Sequence, residues 1–170
     1  MQQLETDDLI ETCECCELFL LHYCQCPFED PEYRKCASHE VKLVFTDGAC
    51  INNGGSNPTS GIGVACSSTE YGQLSKPITL EVDSEARRTN QRAEMLAAIE
   101  GIELRVEIAL AQGELETFKD GGKHRLRGST ALVVVATDSE YVVKGMTEWL
   151  PNWKVSNPQP SIITSSPDAN

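Results

Sequence analysis

Three acidic residues stand where folding could bring them to one point. Asp47 follows the apolar, β-branched run at the start of Val41–Cys50, VKLVFTDGAC, which reads as a buried strand ending on a carboxylate beside a glycine. Asp138 ends a second apolar run, Leu132–Thr137, and Glu94 lies in the first turns of a helical pattern opening Thr89-Asn90-Gln91-Arg92-Ala93-Glu94. Two strand ends and one helix converging on carboxylates form a donor set for a hard divalent cation such as Mg2+. Phosphodiester hydrolysis near neutral pH needs a nucleophilic hydroxide and a stabilised leaving oxygen. Two such ions about 4 Å apart supply both, with one carboxylate bridging them. Each acid alone says little. Thr-Asp-Gly is a common turn, an aspartate after a strand is often a helix N-cap, and Glu94 alone is a solvated helical acid. Their order and their flanking residues carry the signal.

The elements that must position these groups follow from periodicity. Val41–Thr46 is a strand, Asn52–Ser60 a turn cluster, Gly61–Ser68 a second strand and Gln73–Val82 a third, in an antiparallel meander. Asp83–Arg88 is a charged connection. From Thr89 to about Gln112, residues Met95, Ala98, Ile99, Ile102, Val106, Ala109 and Leu110 recur on one helical face, with Glu94 at its edge. Gly113–Ser129 reads as a polar loop, and Ala131–Thr137 as a central strand buried on both faces. Ser139–Trp153 restarts a helical pattern. The composition, 40% apolar and 24% charged over 170 residues, suits one α/β domain with a small appendage. No run approaches the length of a membrane span, and the acidic N-terminus has no signal-peptide shape. An intracellular protein of nucleus or cytoplasm, with reduced cysteines, is expected.

Charge and cysteines are both concentrated at the N-terminus. Residues 1–40 carry ten acids against two bases, and the whole chain has a net charge of −12. Because neutralising phosphates supplies most non-specific nucleic-acid affinity, such a chain must rely on local bases and metal ions for any nucleic-acid contact. Six of the eight cysteines fall in residues 13–39. Cys13-x2-Cys16 followed by Cys24-x-Cys26 has the form of a small zinc hairpin holding structural Zn2+. The competing reading is a poorly ordered leader with free thiols. Residues 1–40 are thus an acidic, Cys-rich segment, 41–154 the domain, and the Pro/Ser-rich residues 155–170 a disordered tail.

The segments Val44-Phe45-Thr46-Asp47-Gly48-Ala49-Cys50, Gly61-Ile62-Gly63-Val64, Thr89 to Glu94, Ala136-Thr137-Asp138-Ser139 and Gly145 to Lys154 closely resemble the type 1 ribonuclease H family in its eukaryotic form. The resemblance spans about Val41 to Lys154, with the motifs in the family's order. It implies a mixed sheet of strand order 3-2-1-4-5 with packed helices, and metal-dependent endonucleolytic cleavage of the RNA strand in RNA–DNA hybrids. It implies that Asp47, Glu94 and Asp138 are catalytic metal ligands for two Mg2+ ions, with Mn2+ as a substitute. Asp47 would bridge both ions, and Glu94 would also contact the RNA ribose. By the same resemblance, Cys50, Asn52 and Asn53 meet RNA 2′-hydroxyls. Asn90 and Gln91 face the minor groove. Arg87 and Thr89 grip a DNA phosphate, and Trp149 and Trp153 line a channel for the DNA strand. Core packing is the alternative for both tryptophans.

The family pattern continues past Trp153 with a basic segment, a fifth strand, a histidine loop and a helix bearing a fourth carboxylate. The residues after Lys154 match none of these. The expectation is a domain truncated at its C-terminus, of order 3-2-1-4 without the fifth strand. Its site would lack one carboxylate, and its exposed edge strand would be open to an unknown partner. Two functional readings stay open on the sequence. One is a hybrid-cleaving nuclease. The other is a catalytically inactive relative that binds nucleic acid weakly or acts through a Cys-rich interaction module.

Overall fold

The computed structural model describes residues 9–13, 16–21, 41–84, 87–120, 123–128, 132–150 and 152. The strands are β1 (Ile10–Thr12), β2 (Phe19–Leu21), β3 (Val41–Ile51), β4 (Thr59–Ala65), β5 (Gln73–Pro77), β6 (Leu115–Asp120), β7 (Lys123–Gly128) and β8 (Leu132–Ala136). Helix α1 covers Asn90–Ala111, and α2 (Glu140–Lys144) runs on into a π-helical turn, Gly145–Trp149. No helix among the described residues is long and apolar enough to cross a membrane.

Strand β3 is the axis of the sheet. It pairs antiparallel with β4, from Phe45↔Ala65 to Ile51↔Thr59, and parallel with β8, from Val41↔Leu132 to Phe45↔Ala136. With β5 antiparallel to β4, the order β5-β4-β3-β8 is the expected 3-2-1-4. Among the described residues, β8 pairs with β3 alone. The parallel pairing sets the end of β8 beside Phe45, so Asp138 emerges next to Asp47. β3 does not end on Asp47 as expected but runs on to Ile51, because β4 keeps pairing it as far as Thr59.

The sheet also extends past the expected boundary at residue 41. The hairpin β1–β2 joins it through Leu20↔Lys42, and Phe19 N–H donates to Cys66 O at 2.9 Å. β2 lies beside the start of β3, where β4 has already ended. Leu18 and Leu20 turn into the core, while Phe19 meets Phe45 edge-to-face at 5.8 Å. The short apolar run Leu18–Leu21 thus completes the sheet, because alternation buries every second residue. Cys13 is buried and Cys16 packs against the Leu18–Cys66 core cluster. The other two expected zinc ligands, Cys24 and Cys26, lie outside the described residues, as does the expected disordered tail.

Helix α1 lies across β3 and β4, but on a different face from the one predicted. Ala93, Glu94, Ala97, Ala98, Gly101, Arg105, Ile108 and Ala109 are buried, whereas Ile99 and Ile102 are 47% and 46% exposed. The reason is close approach: a Cβ on Gly101 would stand 2.6 Å from Thr46 Cγ2, and one on Gly48 only 2.2 Å from the Ala93 carbonyl carbon. Small residues, not large apolar ones, decide which face can reach a sheet at this distance. The helix ends in a Schellman motif. Gly113, at φ +72°, donates its N–H to Leu110 O, and Glu114 N–H donates to Ala109 O at 2.8 Å.

Three further expectations are corrected. Leu115–Asp120 and Lys123–Gly128 pair antiparallel as β6 and β7 rather than lying in a polar loop, because cross-strand pairing satisfies a backbone that composition alone left unassigned. The third strand ends at Pro77 instead of Val82: after a last bond from Ile78 N–H to Ser60 O, the chain turns back, with Asp83 N–H donating to Thr79 O at 3.0 Å. β8 is not buried on both faces: Leu132 is 60% and Val133 38% exposed.

Candidate functional site

The start of α1 is fixed by Thr89, whose hydroxyl accepts from Arg92 N–H at 3.2 Å. From that start, Glu94 falls opposite Gly48, where strand and helix backbones nearly touch. The absence of a side chain at Gly48 is what lets Glu94 reach the rim beside Asp47. One carboxylate oxygen each from Asp47, Glu94 and Asp138 lies within 4.8 Å of the others. The site is held from the far side by Ser139, which caps α2 by accepting from Val142 N–H at 3.3 Å.

Asp47 and Asp138 are exposed, while Glu94 is buried. Burial pushes the Glu94 carboxyl above its ordinary value, the charges of Asp47 and Asp138 push it further, and the Gly48 N–H bonded to it opposes both. Glu94 Oε2 is buried with no hydrogen-bond partner among the described residues. An unpartnered carboxylate oxygen facing two like charges is a poor arrangement for a metal-free protein. It fits a divalent cation, because the donors are hard oxygens from three separate elements.

Two features flank this acidic centre. On one side, Asn90 Oδ1 accepts from Cys50 N–H at 2.8 Å, tying the start of α1 to the end of β3, just before the β3–β4 connection. That connection turns through Asn52, at φ +58°, with Gly55 N–H bonded to Asn52 O at 2.8 Å. Asn52 and Asn53 are exposed.

On the other side, a cavity of about 420 Å³ is bordered by Arg87, Thr89, Gln91, Arg92, Met95 and Tyr141. Asp83 braces it: its carboxylate accepts from Arg92 Nε, from Arg92 Nη2 at 2.6 Å and from Arg88 Nη1 at 3.2 Å. Trp149 packs edge-to-face on Tyr141, one of the residues lining this cavity, with ring centroids 5.2 Å apart.

The structure therefore brings Asp47, Glu94 and Asp138 together. It joins Cys50 to Asn90, and it groups Arg87, Thr89 and Gln91. Trp153 lies outside the described residues. The sequence placed Met95 on the apolar helix face and read Asp83–Arg88 as a charged connection, but gave no site role to these or to Arg92 and Tyr141. Arg88 and Arg92 stand four residues apart next to an acid-containing connection, a signal for a shared partner that was available.

A mixed sheet with parallel β3 and β8, a long helix across it and carboxylates gathered at one rim defines an α/β domain of the ribonuclease H type. The chain belongs to the RNase H family, whose family model matches residues 39–166. It is 36% identical over 111 residues to a ribonuclease H of Bordetella avium, covering 65% of this chain and 52% of that protein. It is 31% identical over 112 residues to human ribonuclease H1, covering 66% of this chain and 30% of that protein. Against a ribonuclease H of Nitrosomonas eutropha the identity is 35%, with 54% of the relative covered. The chain thus spans about half the length of the bacterial relatives and under a third of the human one. Among solved structures, a foamy viral protease-reverse transcriptase in complex with dsDNA aligns over 70% of this chain and 60% of the other. Its identity is 22% and its TM-score 0.40.

Proposed function

We propose that this domain hydrolyses the RNA strand of RNA–DNA hybrids, with divalent metal ions held by Asp47, Glu94 and Asp138. The observation that carries this reading is the gathering of the three carboxylates where the end of β8 meets β3, with Glu94 Oε2 unpartnered among the described residues. Family membership and the names of the relatives support the reaction class. When bound, Mg2+ or Mn2+ would supply an activated water and stabilise the leaving oxygen.

The chain's own residues would orient the duplex around that centre. Exposed Asn52 and Asn53, with the backbone at Cys50, lie where 2′-hydroxyls can be read as donors and acceptors. Asn90 and Gln91 open α1 beside them and face the minor groove. Arg87, Thr89 and Arg92 border a pocket of about 420 Å³ that suits a backbone phosphate, since guanidinium groups match phosphate oxygens in shape and charge. Trp149 and Trp153 would pack against deoxyribose.

The test is to incubate the purified chain with a labelled RNA–DNA hybrid and Mg2+, beside double-stranded RNA and DNA. Asp47→Asn serves as the control. Cleavage of the RNA strand of the hybrid alone, lost in Asp47→Asn, is expected. No cleavage by a folded chain that binds the metal overturns the reading.

A further inference from the structure

At the end of β3 opposite the acidic rim, two cations are buried together. Lys42 is 2% exposed and Arg105 3% exposed, and both bond a single carboxylate, Glu114. Glu114 Oε1 accepts from Lys42 Nζ, and Oε2 accepts from Arg105 Nη2 at 2.6 Å. Two positive charges against one negative leave this cluster with an excess charge of about +1 in a site of low dielectric. Arg105 Nε and Nη1 have no hydrogen-bond partner among the described residues. Guanidinium has five N–H donors and cannot shed its proton, so it cannot escape this by becoming neutral. The Cys66 thiol feels the charge of Arg105, but burial pushes that thiol up and keeps it protonated at neutral pH, so it supplies no counter-charge.

Beside this cluster is a cavity of about 80 Å³ lined by Lys42, Arg105 and Glu114 together with the apolar Ile102, Val106 and Val133. Two buried cations, three guanidinium N–H groups unpaired among the described residues and partly exposed apolar walls suit a partly desolvated anion. We propose that this cavity binds one small monovalent anion, of the class of chloride or bromide, as a structural ligand of the sheet–helix junction. Size and charge both favour it: a volume of about 80 Å³ suits a monatomic ion, and a single negative charge balances the cluster, whereas a dianion would reverse its sign. The site lies at the far end of β3 from Asp47, so its occupancy bears on stability and not on the reacting atoms.

The test exchanges gluconate, which is too large for the cavity, for chloride at constant ionic strength while thermal unfolding is followed. The wild-type chain is expected to gain about 3 °C, saturably, between about 1 and 300 mM chloride, as a ligand of the folded state must. Arg105→Met should abolish the gain. Glu114→Gln, which raises the excess charge, should saturate at lower chloride. A wild-type response equal to that of Arg105→Met overturns the proposal. Should Arg105→Met fail to fold, anomalous scattering from bromide-soaked crystals of the wild-type protein decides. A peak between Lys42 and Arg105 supports the site, and its absence overturns it.

Discussion

The two ends of the β3–β8 pair carry unbalanced charge of opposite sign, and α1 reaches both. At the C-terminal rim, Glu94 meets Asp47 and Asp138, and burial and like charge together push its carboxyl up. At the other end, Glu114 is also pushed up by burial, but hydrogen bonds and charge from Lys42 and Arg105 outweigh that and hold its carboxyl below the ordinary value. The same kind of side chain is thus a liability to the metal-free fold in one place and a stabilising element in the other. The difference teaches where the fold invests in function. A carboxylate placed among carboxylates is kept for a ligand, and one placed among cations keeps the fold.

The largest effect expected from this contrast is at Glu114. Glu114→Gln leaves Lys42 and Arg105 buried without a counter-charge, and losing one partner of a buried pair costs about 3–5 kcal/mol. Urea unfolding measures it. The pH dependence follows from the lowered carboxyl. Its contribution is present above the unfolded value of 4.5 and is lost as pH falls through the lower folded value. The variant should therefore show a shallower loss of stability in acid. An unchanged acid limb would show that Glu114 does not titrate against these cations.

Next in size is Gly48→Ala. The new Cβ would stand 2.2 Å from the Ala93 carbonyl carbon and 2.4 Å from Glu94 N, so backbone must move on both sides. Overpacking of this kind costs about 1–3 kcal/mol. Because the displaced atoms form the peptide bond that leads from Ala93 into Glu94, activity should fall about 100-fold or more, the penalty for misplacing a reacting geometry by about 1 Å. Gly101→Ala is the sharpening control. Its Cβ meets the Thr46 and Val44 side chains, 2.6 and 3.1 Å away. It should lose comparable stability while metal affinity, read by calorimetry, changes far less. Equal losses of metal affinity in both variants would show that Gly48 has no special part in placing Glu94.

At the acidic rim the sign reverses. Glu94→Gln should stabilise the protein in EDTA by about 0.5–2 kcal/mol, the usual gain when a functional strain is removed, while abolishing hybrid cleavage. A raised carboxyl contributes stability below the unfolded value of 4.5, and that stability is lost as pH rises through the raised folded value. The wild-type protein in EDTA should therefore lose stability over that window, and Glu94→Gln should not. Saturating Mg2+ should reverse the ranking. A destabilised Glu94→Gln in EDTA would mean that Glu94 serves the fold.

Much of this arrangement was legible in the residues, for identifiable reasons. Asp47 and Asp138 each follow a β-branched run, so strand periodicity placed each beyond a strand core, and the strand order implied by the family resemblance brought the two together. Thr89 and the residues after it fixed the helix start, and with it Glu94. The face of α1 was not legible. Periodicity reports large apolar residues, and this interface is made by Gly101, Ala97 and Ala93. The Lys42–Arg105–Glu114 cluster was hidden for a related reason. Charged residues read as solvated until a tertiary partner buries them, and Glu114 turns back only through the Schellman motif at Gly113. The docking of β1–β2 depends on β4 ending at Ala65, which leaves space beside the start of β3. No local pattern in residues 10–21 records that.

The smallest effect tests whether the rim around the carboxylates is built as a unit or merely assembled from neighbours. Asn90 Oδ1 accepts the Cys50 N–H at 2.8 Å on the exposed side of the site. Asn90→Ala removes one solvent-accessible hydrogen bond, so stability should fall by only about 0.5 kcal/mol. Metal affinity should not change, since no carboxylate moves. What should change is duplex recognition. The β3–β4 connection loses its tie to α1, and Asn52 and Asn53 lose their fixed relation to Gln91. The expected result is a KM for hybrid raised several-fold, with a smaller change in kcat, because the loss lies in binding and not at the reacting atoms. Asn90→Asp keeps the acceptor oxygen and should hold the connection in place, but it adds a negative charge where the proposed reading brings a polyanionic duplex. Its KM should therefore rise with a steeper dependence on ionic strength than that of Asn90→Ala. If Asn90→Ala leaves KM unchanged, the connection is held without α1, and the acidic rim stands apart from the surface that meets the duplex.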